Sequence, residues 1–402
     1  MDEHIQRPIL LFIDWDSTLT TTSTLPLIAS VGEDGAVTDR DWAGVSFPSL
    51  TAAYTADLAL HTSTYSPSPS HRITLAQESR YLASLRPIEL ASLSRIESSR
   101  LFSGVTPRLI SSTAVDAVAR NLVSLRKGWS ILLTTKRATG EFGIEGCTHV
   151  ISVSWSDEFI RGVLEASCEK EGELDAEHVR SSIANDVFVH ANGIDGGRGR
   201  VVPGRLARLA PKGQGKEEGQ EQGEGRLILT AGDKLDVVKE VIAGDMRFGI
   251  RSNEDDRKNE NSPANHPPPP PIPLTIFIGD SPTDLLCLLH ADIGICIRDA
   301  PTLGGAPTSG WGGMGGAGGA GVGLTSEGGG EGAGEGGEKR GGLTSEQAAL
   351  AETLARLGVE VRPMYTLLAS MDEGWERRKV VWWARDLMEV MLSGVLDPSW
   401  LF

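Results

Sequence analysis

Asp14-Trp15-Asp16-Ser17-Thr18 places two carboxylates two positions apart, directly after the apolar run from Pro8 to Ile13. Phosphate monoesters are exceptionally slow to hydrolyse. A catalyst must neutralise a dianion, supply an in-line nucleophile and protonate the departing alkoxide. Asp14 has the chemistry to attack phosphorus and form an aspartyl-phosphate, which splits one hard step into two easier ones. Asp16 has the chemistry to give a proton to the leaving oxygen and later take one from water. A turn or a helix cap uses the same residue types, so the motif needs partners elsewhere in the chain.

Three other positions supply them. Ile278-Gly279-Asp280-Ser281-Pro282-Thr283-Asp284 also follows an apolar run. Asp280 would complete an oxygen-rich magnesium site with Asp14, with Asp284 in support, and the ion would shield the phosphate from an anionic nucleophile. Lys234 stands at the start of a helical stretch, where a fixed cation adds to the helix dipole and favours phosphate. Ser154 closes the run His149 to Ser154, and its hydroxyl is a candidate donor to a phosphoryl oxygen. Thr134 and Thr135, after Ile131-Leu132-Leu133, compete for that role. Thr18 is a further candidate for holding phosphate.

These residues need a scaffold that brings strand ends together. Short apolar runs that end abruptly read as strands buried on both faces of a parallel sheet. They recur at His149 to Ser154, Asp186 to His190, Leu274 to Ile278, Ile293 to Ile297 and Val359 to Val361. Helical stretches lie between several of them, notably Asp233 to Ile242 and Asp284 to His290. The alternation predicts an α/β fold with a doubly wound, Rossmann-like parallel sheet, and such sheets bind ligands at the carboxyl ends of their strands.

From residue 31 to 128 the strand-like runs give way to apolar residues at helical spacing, such as Leu75, Leu82, Leu85, Leu90, Leu93 and Ile96. This predicts a helical cap inserted after the first strand, divided by Pro48, Pro67, Pro69 and Pro87. The core is then residues 1–30, 129–302 and 343–402. Residues 212–224, 253–271 and 304–342 are rich in Gly, Pro and charge. Ordering the last would cost on the order of 1 kcal/mol per residue with little apolar area to offset it, so all three are expected to be disordered inserts. The Gly-rich tract lacks the G-x-x-x-x-G-K-[ST] pattern of a phosphate cradle. A helix is expected over Thr344 to Leu357, with Ser345 as a cap and Gly358 as the stop. Another is expected over Glu376 to Leu392, with Val380, Trp383, Ala384, Leu387 and Met391 packed on one face.

The formal net charge of −16 argues against nucleic acid as a partner, because phosphate backbones need clustered Lys and Arg. The four cysteines form no C-x-x-C pair and read as thiols of a reducing compartment, the cytoplasm. No apolar run approaches the roughly 20 residues that span a bilayer, so no membrane partner is expected.

With the motifs in order, the chain resembles the haloacid dehalogenase superfamily of phosphatases. Its signature is D-x-D-x-T, a Ser or Thr after a strand, a Lys, and G-D-x-x-x-D. Within it the sequence is similar to the phosphoserine-phosphatase-like branch, whose helical cap lies between the first and second motifs. Gly279 to Leu289, Ala291 to Ile295, Val153 to Ser156 and Thr230 to Lys234 are similar to the phosphatase domain of plant thiamine-salvage enzymes and to fungal proteins of the same branch. The resemblance covers nearly all the chain outside the three inserts. It implies that Asp14 is the nucleophile and Asp16 the acid/base. It also implies that magnesium is held by Asp14, the backbone carbonyl of Asp16 and Asp280 near Asp284, and the phosphoryl group by Ser154 and Lys234. Trp15 stands where Phe is more usual, a change expected at the pocket mouth. The expected activity is magnesium-dependent hydrolysis of a small phosphorylated metabolite. The alternative is a catalytically retired binding or regulatory protein on the same fold. A dehalogenase would not need the acidic metal site.

Overall fold

The computed structural model describes residues 8–33, 42–135, 147–170, 176–204, 226–255, 272–298, 345–367 and 380–396. The apolar run after Pro8 forms β1 (Ile9–Ile13), and every residue in it is buried. Because side chains alternate along a strand, Ile9, Leu11 and Ile13 enter one core while Leu10 and Phe12 enter another on the opposite face. A strand buried on both faces has no polar side, which is why β1 reads as a continuous apolar run.

The other strands of the sheet are β2 (Thr148–Ile151), β3 (Val187–His190), β6 (Leu274–Gly279), β7 (Ile293–Ile297), β8 (Glu360–Pro363) and β9 (Val380–Ala384). A separate hairpin is formed by β4 (Gly193–Asp195) and β5 (Arg200–Val202). The seven-stranded sheet has the order β3-β2-β1-β6-β7-β9-β8, and every pairing in it is parallel. From β1 the chain winds outward in one direction through β2 and β3, and in the other through β6 and β7. The switch point of this doubly wound sheet lies at β1, where Asp14 emerges.

Between β1 and β2 lie α1 (Leu25–Glu33), α2 (Phe47–Thr64), α3 (Leu75–Ser84), α4 (Arg86–Ser99), α5 (Pro107–Ala119) and the short α6 (Trp129–Thr134). Their starts are written in the sequence. Ser46, Thr74 and Thr106 each accept a hydrogen bond from a first-turn N–H of α2, α3 and α5, satisfying donors that a helix otherwise leaves open. Pro48 and Pro87 sit in first turns, where a missing N–H loses nothing. Ile110, Ala114, Ala117 and Val118 of α5 join the same core as Ile9, Leu11 and Ile13. The remaining helices are α7 (Asp157–Lys170), α8 (Ala176–Asp186), α9 (Ala231–Asp255), α10 (Leu285–His290), α11 (Ser345–Arg356) and a C-terminal helix Leu387–Leu392.

Two expectations are corrected. Val380–Ala384, assigned to a helix from Glu376, is strand β9. Val-Val-Trp-Trp-Ala is β-branched and aromatic, Trp382 is buried in register with Ile295, and the helical spacing of Val380, Trp383 and Ala384 was coincidental. The helix is confined to Leu387–Leu392, and Asp386 caps it by accepting from Glu389 N. Residues 253–255, placed in an insert, close α9; residues 256–271, 212–224 and 304–342 lie outside the described residues. The expected helix before Gly358 is α11, and Gly358 lies at φ +68°, a left-handed stop that favours glycine. Among the described residues no helix is long and apolar enough to cross a membrane.

One half-buried histidine is expected to make the fold acid-sensitive. His190 ends β3, with Nε2 3.0 Å from His149 Nδ1. Burial, helped by the positive charge of Arg161, lowers its pKa from 6.5 to about 4. Between those values the unfolded chain takes up a proton that the folded chain refuses, so stability falls as pH falls through that window. The loss should approach about 3 kcal/mol and level off below it. Melting temperatures of the wild type and His190→Gln from pH 7 to 4 test this: the wild type should decline more steeply, and equal slopes would assign the acid sensitivity elsewhere.

Candidate active site

β1 and β6 are neighbours with Ile13 opposite Ile278, so Asp14 and the Gly279-Asp280 turn leave the sheet side by side. Asp14 N donates to Ile278 O at 2.9 Å, fixing the first residue after the strand. The chain then bends sharply, with Ser17 at φ 60°, a conformation most L-residues avoid unless the surroundings impose it. Arg126 imposes it from outside the motif. Its Nη2 donates to Ser17 O at 2.7 Å, its Nε to Thr18 O at 3.0 Å, and its backbone N–H to Leu19 O at 2.8 Å.

Inside this bend Asp16 is held by Thr24. Its Oδ1 accepts from Thr24 N at 2.5 Å and from Thr24 Oγ1 at 2.8 Å. Trp15 is fully buried, and its indole N–H donates to the same Thr24 hydroxyl at 3.0 Å. Trp15 therefore supports Asp16 from behind and does not shape the pocket mouth. Burial raises the Asp16 pKa, and the hydrogen bonds from Thr24 only partly oppose the rise. A raised carboxyl pKa suits a group that must give up a proton near neutral pH.

Lys234 lies in the first turn of α9 and is fully buried. Its Nζ donates to Asp14 Oδ1 at 2.6 Å and to Asp284 Oδ1 at 2.7 Å. Burial opposes its charge, but the two carboxylates outweigh that and the net pKa shift is upward, so the side chain is a permanent cation. Asp14 is pushed well above the usual carboxylate range, first by burial and then by repulsion from Asp284, against the attraction of Lys234. Asp233, next to Lys234, fixes the helix start. It accepts from Leu229 N and Thr230 N, and Arg86 of α4 reaches both its oxygens at 2.5 and 2.7 Å.

Asp284 Oδ2 accepts from Asp280 N, Ser281 N and Ser281 Oγ at 3.1, 3.1 and 3.0 Å. The turn can close this tightly because residue 279 is glycine; a Cβ there would stand 2.5 Å from Asp284 Cγ. With Oδ1 on Lys234, Asp284 is saturated and organises the site. Asp280 differs. Its Oδ1 accepts from Thr18 Oγ1 at 3.0 Å, while Oδ2 is buried and has no hydrogen-bond partner among the described residues. Burial, followed by repulsion from Asp284, raises its pKa to about 8.

A buried carboxylate oxygen without a partner is costly, and this one belongs to a cluster with excess negative charge. One oxygen each from Asp14, Asp280 and Asp284 lies within 4.8 Å of the others. An all-oxygen donor set of this charge fits a hard divalent cation such as magnesium. Asp14 and Asp280 are the residues that would hold it.

The cavity that opens from these groups has a volume of about 550 Å³, and Asp14, Asp16, Lys234 and Ser152 are among its lining residues. Ser152, and not Ser154, reaches its wall. β2 ends at Ile151, level with Asp14 by the Ile13–Val150 register, so Ser152 is the first residue beyond the strand. Ser154, expected at the strand's end, lies two residues farther on. Ser154 is fully buried; its carbonyl accepts from Asn192, and its hydroxyl has no partner among the described residues. Thr134 and Thr135 donate to Ser130 O and Ile131 O at the end of α6, away from the cavity. Thr18 is fully buried and supports Asp280 without lining the cavity. Sequence reasoning also missed Thr24, Arg126 and Asp233. Their roles depend on contacts across the fold or on a bend that no local spacing encodes.

Among known proteins, the chain is 26% identical over 300 residues to a CTO1 family protein of Schizosaccharomyces pombe, covering 72% of this chain and 82% of that one. No protein-family profile matches. Two solved structures of phosphoserine phosphatase, one with a phospho-aspartyl intermediate analogue and one with substrate bound, align at TM-score 0.32. Their identities are 13% and 14%, covering 73% of this chain and 87% and 86% of theirs. A protein of unknown function from Anaerococcus prevotii DSM 20548 aligns at TM-score 0.29 and 11% identity, covering 74% and 81%. Likenesses this distant say nothing about individual side chains. The reading of the site rests on its own geometry.

Proposed function

We propose that the protein is a magnesium-dependent phosphatase that hydrolyses a small phosphomonoester through an aspartyl-phosphate on Asp14, as its resemblance to the haloacid dehalogenase superfamily implies. The observation that carries this is the Lys234 ammonium bridging Asp14 and Asp284, beside a second carboxyl, Asp16, that burial keeps ready to hold a proton. Asp14 attacks phosphorus, the bond to the ester oxygen breaks, and Asp16 gives its proton to that oxygen. Asp16 then takes a proton from water, whose oxygen attacks phosphorus and frees Asp14. Lys234 and Ser152 hold the phosphoryl oxygens in line. Magnesium, when bound, neutralises phosphoryl charge and lets an anionic nucleophile approach. The helical insertion acts as a cap that excludes bulk water and favours small substrates. Three of the four free cysteines are buried, which supports a reducing, cytoplasmic setting.

A panel of phosphate esters, including thiamine monophosphate and phosphoserine, assayed with and without magnesium, tests the activity. Turnover of at least one ester is expected only with the ion; no turnover of any ester removes the proposal. The ion should also raise the melting temperature, since a ligand at about 100 times its Kd adds about 2.7 kcal/mol. Asp280→Asn should lose most of that gain, and a variant that kept it would place the ion elsewhere.

A further inference from the structure

Helix α11 has two unlike faces. Gln347, Leu350, Ala351 and Leu354 are buried, and Leu350 and Leu354 join one of the two cores of the sheet. Glu346, Ala349, Thr353 and Arg356 recur at the three- and four-residue spacing of a single helical stripe. A surface helix would present such a stripe to solvent; here all four residues line the catalytic cavity.

The helix is tied to both sides of that cavity. It packs against the turn Pro282–Asp284 that follows Asp280. At its other end Arg356 Nη1 donates to Glu78 Oε2 of α3 at 2.8 Å and to the backbone carbonyl of Arg72. Its position is therefore fixed relative to both the metal turn and the insertion. The cavity is also much larger than a phosphoryl group requires. Its volume of about 550 Å³ falls in the range of roughly 300–1,000 Å³ typical of sites for whole organic ligands. A second chamber of about 280 Å³, walled by Phe47 and Trp155, shares Tyr54, Glu89 and Glu346 with it. Ala349 is the smallest side chain on the stripe, and it is exposed to the cavity.

We propose that α11 is the specificity wall of the site. Ala349 leaves room for an ester whose organic group is ring-sized, and a larger residue there would exclude it. The ester end of this assignment rests on the phosphatase reading; the wall rests on the cavity alone.

Binding measured by calorimetry in magnesium-free buffer, where no turnover is expected, with 1-naphthyl phosphate and inorganic phosphate as probes, tests it. The wild type should bind the naphthyl ester at least about tenfold more tightly than inorganic phosphate, because only the ester fills the cavity. Ala349→Trp should weaken the naphthyl ester at least about tenfold more than it weakens inorganic phosphate, with Ala349→Leu in between. Thermal melts of both variants establish that they are folded, which an exposed position favours. Equal losses for the two probes, no loss for either, or a wild type that binds both probes equally would each overturn the proposal. Selective binding of a naphthyl ester that is never hydrolysed, even with magnesium added, would instead sink the phosphatase reading and leave the wall standing.

Discussion

Asp14→Asn should reduce turnover of every ester the wild type hydrolyses by at least about 10³-fold, because an amide cannot form the covalent intermediate. The substitution keeps the side-chain volume and an oxygen for Lys234 Nζ, now 2.6 Å from Asp14 Oδ1. It also removes one of three crowded carboxylates. The fold should therefore survive, and the loss should lie in the chemical step. Rapid-quench mass spectrometry makes the distinction: wild type mixed with substrate should carry a phosphoryl group on Asp14, and the variant should carry none. A variant rate within about tenfold of wild type would end the covalent mechanism, since general-base catalysis alone would then account for the reaction.

Most of the scaffold could be read from the chain because a parallel sheet buried on both faces leaves little choice of pattern. β1, β6 and β7 are largely apolar runs whose ends lie within a residue of those expected from the sequence. Asp14, Lys234 and Asp280 follow from them, since a strand's end fixes where the next side chain points. β9 failed for the opposite reason. Two tryptophans and two valines satisfy helical and strand spacing over five residues, and only pairing with β7 decides between them. Ser154 was expected at the end of a strand, but periodicity cannot say where hydrogen bonding to β1 and β3 stops; β2 ends at Ile151, and Ser152 is the first residue beyond it. Arg126 and Asp233 were invisible for a further reason. The first holds a bend more than a hundred residues away, and the second meets Arg86, which lies within the insertion. One wall of the cavity belongs to α11, which no motif marks.

Lys234→Met should cost about 3–5 kcal/mol of stability in magnesium-free buffer, the usual penalty for stripping one partner from a buried ion pair. Methionine fills nearly the same volume, so little of that loss would come from a cavity. It would come from Asp14 and Asp284, left buried beside Asp280 without the cation that now stands 2.6 and 2.7 Å from the first two. Urea unfolding of the single variant, of Asp14→Asn and of the double variant separates the contributions. Because the two groups are in direct contact, the double variant should be more stable than the sum of the single effects allows. Saturating magnesium should restore part of the stability, since the ion takes over the carboxylate charge. It should restore little turnover, because the phosphoryl oxygens would still lack the lysine. Full stability of Lys234→Met without the ion would mean that the carboxylates are neutral in the resting protein. Lys234 would then serve the phosphoryl group alone, and the account of why it is buried at the centre of the site would fail.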